Sequence, residues 1–376
     1  MKKIVIACDS FKGSLSSREV AEAFLQGVQE VAPHCEVIAL PLADGGEGTV
    51  KALVEGLGGE LREAEVHDPL GRKIRARYGL VEKGRTAVVE LAAASGLTLL
   101  RPEERNPMKT TTYGFGELIR DALGRGCRRL LLGLGGSATN DGGVGMLRAL
   151  GFRFRDRVGR ELKGGGEVLD RIFAIDDSGR LPELQEVEIC VMSDVRNPLC
   201  GPLGAAAVFG PQKGADPAMV ARLDLGLRNL AAVIERHNGV QIADREGAGA
   251  AGGVGGALAA LLGAHPERGV ELVLKLVDFE QRIAGADLVV TGEGRIDRQT
   301  LMGKLPQGVL QCAQKLHIPC VAIGGGVVWC DELRAAGFVQ IESVTPEGMP
   351  LREAMQPAVA RENIRRTARR ILRKWE

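Results

Sequence analysis

One order of elements recurs along this chain and limits what it can fold into. A short apolar run leads to a loop of glycine and acidic residues, and an amphipathic helix pattern follows. Residues 3–8 open the first such unit, the loop 9–15 follows, and a helix pattern starts near Ser17. Ser16 and Glu19 have the spacing of a capping box, and Val20, Ala21, Phe24, Leu25 and Val28 mark a buried face. A second strand pattern at 36–40 leads through a Gly-rich loop to a helix at 49–57, with Gly58 and Gly59 as its stop. This alternation is the signature of an α/β fold with mostly parallel sheets. The 52 glycines, roughly twice average usage, cluster at the strand–helix junctions rather than in low-complexity tracts.

The pattern changes from about residue 66. The stretch 67–72 reads as a turn, and 74–81 and 86–91 read as strands pairing antiparallel. Strand patterns return at 130–134 and 187–192, then at 287–291, 319–323 and 339–344. The last segment, 351–375, is amphipathic with Pro357 early in it. Its arginines 365, 366, 369, 370 and 373 form a basic face, which reads as a solvated helix surface.

Composition removes several function classes. A net charge of +1 gives no bulk attraction to nucleic acid or acidic membranes, and 3% aromatic residues provide no stacking platform. The uncharged stretch 247–264 is mostly Gly and Ala, so it reads as close packing in a core rather than as a membrane span. Eight cysteines without a CxxC pair read as reduced thiols in a cytoplasmic protein, and the sequence begins on a strand pattern rather than a signal peptide. Five histidines without an HxxxH spacing argue against a zinc site.

Five loops combine glycine with charge. Asp9, Ser10 and Lys12 follow the first strand, where open α/β sheets bind ligands, and Lys12 suits a phosphate or a carboxylate. Asp44 and Glu47 lie in the second loop and suit a metal, sugar hydroxyls or simply a helix dipole. The stretch 135–143 reads GlyGlySerAlaThrAsnAspGlyGly, with Gly135, Gly136, Ser137, Thr139, Asn140 and Asp141 between a strand and a helix. Such a turn aims backbone N–H groups at an anion. Asp194 stands at the end of the 187–192 strand, where a base or metal ligand is placed, and Lys213 follows in a further Gly-rich loop. Glu293, Arg295 and Asp297 alternate at another strand end, as a ligand set or as an internal ion-pair network. No GxxxxGK[ST] and no GxSxG are present, and no GxGxxG opens a helix in the Rossmann pattern.

Six of these stretches, 9–14, 41–49, 104–107, 135–143, 209–214 and 291–295, together resemble the bacterial glycerate kinases of the glycerate 2-kinase type. They occur in family order over essentially the whole chain. Cys8, Ser193 and Arg298 depart from the family's expected proline, cysteine and glycine, and none of these departures removes a motif carboxylate or lysine. The resemblance implies two α/β domains around a cleft. One is flavodoxin-like and discontinuous, over 1–65 and 285–376, and the other is a mixed α/β domain inserted at 66–284. It also implies ATP- and Mg²⁺-dependent phosphorylation of D-glycerate by a monomer or homodimer. The expected product is 2-phosphoglycerate; 3-phosphoglycerate, a Mg²⁺-dependent sugar-acid enzyme and a metabolite-binding protein are the alternatives.

On that reading the catalytic candidates are Asp194 as base, with Asp44 second, and Lys12. The ATP-binding candidates are Gly135, Gly136, Ser137, Thr139, Asn140, Lys213 and Glu293. Asp9, Ser10, Lys12, Glu47, Arg295 and Asp297 are the candidates for glycerate. Asp141 and Asp194 are the metal candidates.

Overall fold

The computed structural model describes residues 1–43 and 48–375, so Asp44 and Glu47 lie outside the described residues. Its strands are β1 (Lys3–Cys8), β2 (Glu36–Ala39), β3 (Glu60–His67), β4 (Lys73–Val81) and β5 (Thr86–Glu90). Next come β6 (Arg129–Gly133), β7 (Arg153–Arg155), β8 (Ala174–Asp176), β9 (Glu188–Met192) and β10 (His265–Glu267). β11 (Leu288–Ile296), β12 (Cys320–Val327) and β13 (Gln340–Ser343) complete them. Two compact units result: Met1–Gly58 with Arg268–Glu376, and Gly59–Glu267.

The first unit is a five-stranded sheet in the order β13-β12-β11-β1-β2, parallel throughout. Numbered within the unit, that is the flavodoxin-like 2-1-3-4-5 order, whose reversal falls between β1 and β11. Ile4, Ile6, Val290, Val321 and Ile323 are fully buried on strands that read as apolar runs, as parallel strands covered on both faces require. The helix Ser17–Val31 starts on the expected capping box, with Glu19 N–H donating to Ser16 Oγ and Ser16 N–H to the Glu19 carboxylate. Its buried face packs with that of the helix Pro357–Leu372. Arg365 and Arg369 of the latter reach Glu30, Arg366 reaches Glu362 and Arg370 reaches Glu342, so four of the five arginines of the basic face are locally paired.

The second unit holds a six-stranded sheet, β10-β9-β6-β5-β4-β3. β5, β6, β9 and β10 run parallel, and β3, β4 and β5 pair antiparallel. The unit bounds differ from the expected breaks after 65 and 284. β3 pairs along its length with β4, which draws 60–67 into the second unit. The helices Gly269–Leu276 and Phe279–Ile283 pack on the helix Leu305–Lys315, which keeps them in the first. No described helix is long and apolar enough to cross a membrane.

Candidate active site

In the first unit, polar side chains gather at the C-terminal ends of the parallel strands, around the reversal between β1 and β11. A cleft of about 820 Å³ there is lined by Asp9, Ser10, Lys12, Glu293, Arg295 and Asp297. These are all of the described substrate-binding candidates of the sequence reading, together with Glu293. The volume falls within the roughly 300–1,000 Å³ of small-molecule sites.

Asp9 is 5% exposed and accepts from Ser10 N–H at 2.6 Å. Glu293 is 8% exposed, takes Thr300 Oγ1 at 2.7 Å and pairs with Lys304 Nζ at 3.0 Å. Arg295 reaches Asp297 at 3.2 Å, and Asp297 also accepts from Gln299 N–H, capping the turn Arg298–Leu301. Lys12 is exposed and has no ion-pair partner among the described residues. The cleft therefore holds a cation that its own carboxylates do not neutralise, which suits an anionic ligand.

Gly325, Gly326, Ser343 and Thr345 also line the cleft, at the ends of β12 and β13. Sequence reasoning assigned them no role, although the run of three glycines at 324–326 after an apolar strand was a usable signal.

In the second unit, the loop 135–143 leaves the C-terminal end of β6 and enters the short helix Val144–Ala149. Asp194 follows the C-terminal end of the neighbouring β9, so both stand on one sheet edge, and Asp194 is exposed. The loop itself divides in two. Gly135 and Gly136 are exposed and Ser137 is nearly buried, whereas Thr139, Asn140 and Asp141 are 0% exposed.

Asp141 is fastened on both oxygens. Oδ2 takes the N–H groups of Thr112 at 2.8 Å and Gly145 at 3.1 Å and the hydroxyls of Thr111 and Thr112; Oδ1 takes Gly143 N–H at 3.1 Å. Burial raises its pKa, and the bonds from Thr112, Gly145 and Gly143 oppose that shift. Lys213, 1% exposed, donates to the Thr139 carbonyl at 2.7 Å. Burial lowers its pKa to about 7, against the pull of Asp141. The Thr139 hydroxyl and both polar atoms of the Asn140 amide have no partner in this buried layer. Gly142 sits at φ +60 with Leu230 packed where a Cβ would stand, 2.3 Å away. Residues 139–143 with Lys213 thus form the packed support of the loop, and Gly135 and Gly136 form its open face.

Parallel strand ends that carry carboxylates, lysines and a Gly-rich turn, one set at a topological reversal, define an α/β enzyme acting on an anionic small molecule. The model of the Glycerate kinase family matches residues 4–376. The chain is 48% identical over 370 residues to a glycerate kinase of Bacillus subtilis strain 168, covering 98% of this chain and 96% of that protein. It is 48% identical over 325 residues to the glycerate 2-kinase of Escherichia coli K12, covering 86% and 85%. A crystal structure of a protein provisionally designated glycerate kinase 2, from Salmonella typhimurium LT2, superposes with a TM-score of 0.91 at 47% identity, over 100% of this chain and 98% of that one. The chain belongs to the glycerate kinase family.

Proposed function

We propose that this chain transfers the γ-phosphoryl group of ATP to the 2-hydroxyl of D-glycerate, giving 2-phosphoglycerate and ADP. The observation that carries the reading is the exposed Lys12 ammonium, without an ion-pair partner among the described residues, in the cleft at the β1/β11 reversal that Arg295 also lines. A small carboxylate substrate needs such a cation. Phosphoryl transfer asks for positioning and charge neutralisation more than for covalent chemistry.

The roles follow from exposure. Gly135 and Gly136 are exposed, so their N–H groups suit phosphate oxygens, with Ser137 next in the chain. Asp194 is the base: the glycerate oxygen bonds to the γ-phosphorus, the bond to the ADP oxygen breaks, and the hydroxyl proton passes to the Asp194 carboxylate. Asp297 is a turn cap that orients Arg295. Lys213 and Asp141 hold the loop rather than the nucleotide, because each is buried and bonded within it.

Mg²⁺ carried with ATP would screen the phosphate charge. The donor sets bear on where it is held. Asp141 has no open coordination site, since donors of this chain engage both of its oxygens. Asp194, an exposed carboxylate at a strand end, is of the chemical type a hard cation prefers. Eight free cysteines suit a reducing, cytoplasmic setting.

The test is direct. Purified protein with Mg-ATP and D-glycerate is followed for ADP, and the product is read by phosphorus NMR. ADP formation with a 2-phosphoglycerate resonance is the expected result. A 3-phosphoglycerate resonance would overturn the regiochemistry, and no ADP above the glycerate-free control would overturn the kinase reading.

A further inference from the structure

We infer that Glu188, Cys190, His265 and Glu267 bind one zinc-class divalent cation at the edge of the second unit's sheet. β10 is the edge strand there and runs parallel to β9 with His265 opposite Cys190. Residues two apart on a strand share a face, so Glu188 and Cys190 of one strand meet His265 and Glu267 of the other. His265 Nε2 lies 3.2 Å from Cys190 Sγ, 3.5 Å from Glu267 Oε1 and 3.9 Å from Glu188 Oε1. Cys190 Sγ lies 3.6 Å from Oε1 of each glutamate. Tetrahedral zinc, with Zn–S near 2.3 Å and Zn–N or Zn–O near 2.1 Å, spaces its ligand atoms about 3.4–3.6 Å apart. These five separations bracket those edges; the ligand atoms of Glu188, Cys190 and His265 all lie within 4.8 Å of one another, and Glu267 approaches that set through Cys190 and His265.

Proton and charge balance point the same way. The Cys190 thiol has one hydrogen and faces one imidazole nitrogen and two carboxylates, so a single S–H cannot satisfy them all. Arg129, whose Nε lies 3.5 Å from Glu188 Oε2, also acts on the Cys190 sulfur and favours its thiolate. A dication bound by the thiolate, with the thiol proton released to solvent, balances the cluster: the thiolate and two carboxylates face the cation and Arg129. Sulfur and imidazole select a borderline-soft ion over Mg²⁺, so this site is distinct from the metal that accompanies ATP. Cys190 is buried, while Glu188 and His265 are exposed, which leaves the ion a route in from solvent. The ion would clamp the three-residue strand β10 to the sheet.

The full-length protein, stripped with chelator and dialysed, is titrated with Co²⁺. One equivalent should produce a thiolate-to-cobalt charge-transfer band, which Zn²⁺ then removes. Cys190→Ser should abolish the band. His265→Gln, a change at an exposed position, should weaken Co²⁺ binding about tenfold or more with the circular dichroism spectrum unchanged. A folded wild-type protein without the band overturns the proposal. So does a band of equal strength and affinity in folded His265→Gln, since another of the eight cysteines would then be the ligand.

Discussion

Lys213 makes the consequence of burial measurable. Its ammonium is 1% exposed and its pKa falls from 10.5 to about 7 because burial disfavours the charged form. In the unfolded chain the amine keeps its ordinary value. Between about pH 7 and pH 10.5 the unfolded chain therefore holds a proton that the folded chain has lost, and stability rises with pH across that window. Below it both states are protonated and the full cost of the buried charge remains. At about 1.36 kcal/mol per unit, the whole window is worth roughly 5 kcal/mol, and about 2 kcal/mol of it falls between about pH 7 and pH 9. Lys213→Met keeps the length of the side chain and removes the titration. Urea unfolding of both proteins at those two pH values, followed by near-ultraviolet circular dichroism, provides the assay. The chain's two tyrosines, Tyr78 and Tyr113, lie in the second unit, and its two tryptophans, Trp329 and Trp375, lie in the first. The tyrosine signal therefore reports the unit that contains Lys213. Subtracting the variant cancels groups common to both proteins, such as the cysteines. The wild type should gain about 2 kcal/mol on the variant from the lower to the higher pH. An equal difference at both values would refute the reading of Lys213 as a buried base.

Three further outcomes follow from the site. Lys12→Ala should lower kcat/KM for glycerate by about 10- to 100-fold, the worth of one charge-assisted bond, with unfolding unchanged, as steady-state kinetics and a melting curve will show. Asp194→Asn should lower kcat by about 10²- to 10⁴-fold, the usual contribution of a general base, and a variant with near-normal turnover would remove Asp194 from that role. Gly142→Ala should destabilise the second unit by about 2–4 kcal/mol, because it adds a methyl group 2.3 Å from Leu230 at a φ of +60; the tyrosine-monitored urea midpoint measures it.

What the sequence made legible depended on whether the cause was local. The capping box at Ser16 and Glu19, the helix Thr49–Leu57 and the antiparallel pair β4/β5 are set by neighbours a few residues apart, and each forms as read. β3 went unread because its Leu-Arg-Glu-Ala-Glu pattern has little apolar alternation; its residues are mostly exposed, and its order comes from pairing with β4. β11 reads as ending at Thr291 because Gly292 and Gly294 resemble a loop. The strand continues to Ile296 since Arg295 and Ile296 pair with Gly326 and Val327 of β12. Gly292 is needed for close approach, with the Ile323 carbonyl 2.3 Å from where its Cβ would stand. The candidate site divides along the same line. Strand-end position placed Asp9, Lys12, Glu293 and Arg295 around one cleft. It could not separate the open half of the 135–143 loop from the buried half. The partners that bury Asp141 are Thr111 and Thr112, some thirty residues upstream, and the lysine beneath the loop comes from 74 residues further on.

The pairing of the helix Ser17–Val31 with the helix Pro357–Leu372 also bears on how the chain is made. The first 58 residues leave the ribosome long before β11, their central strand partner, and before the last helix that covers Phe24 and Val28. At about 5–20 residues per second, the wait for that helix is roughly 15–65 s. The middle unit, contiguous in sequence, can close during this interval, while the amino-terminal segment keeps an apolar face without its partner. A nascent chain stalled before residue 357 would therefore carry a folded middle and an amino-terminal segment that chaperones can still hold, so completion of the first unit depends on residues synthesised after the middle one.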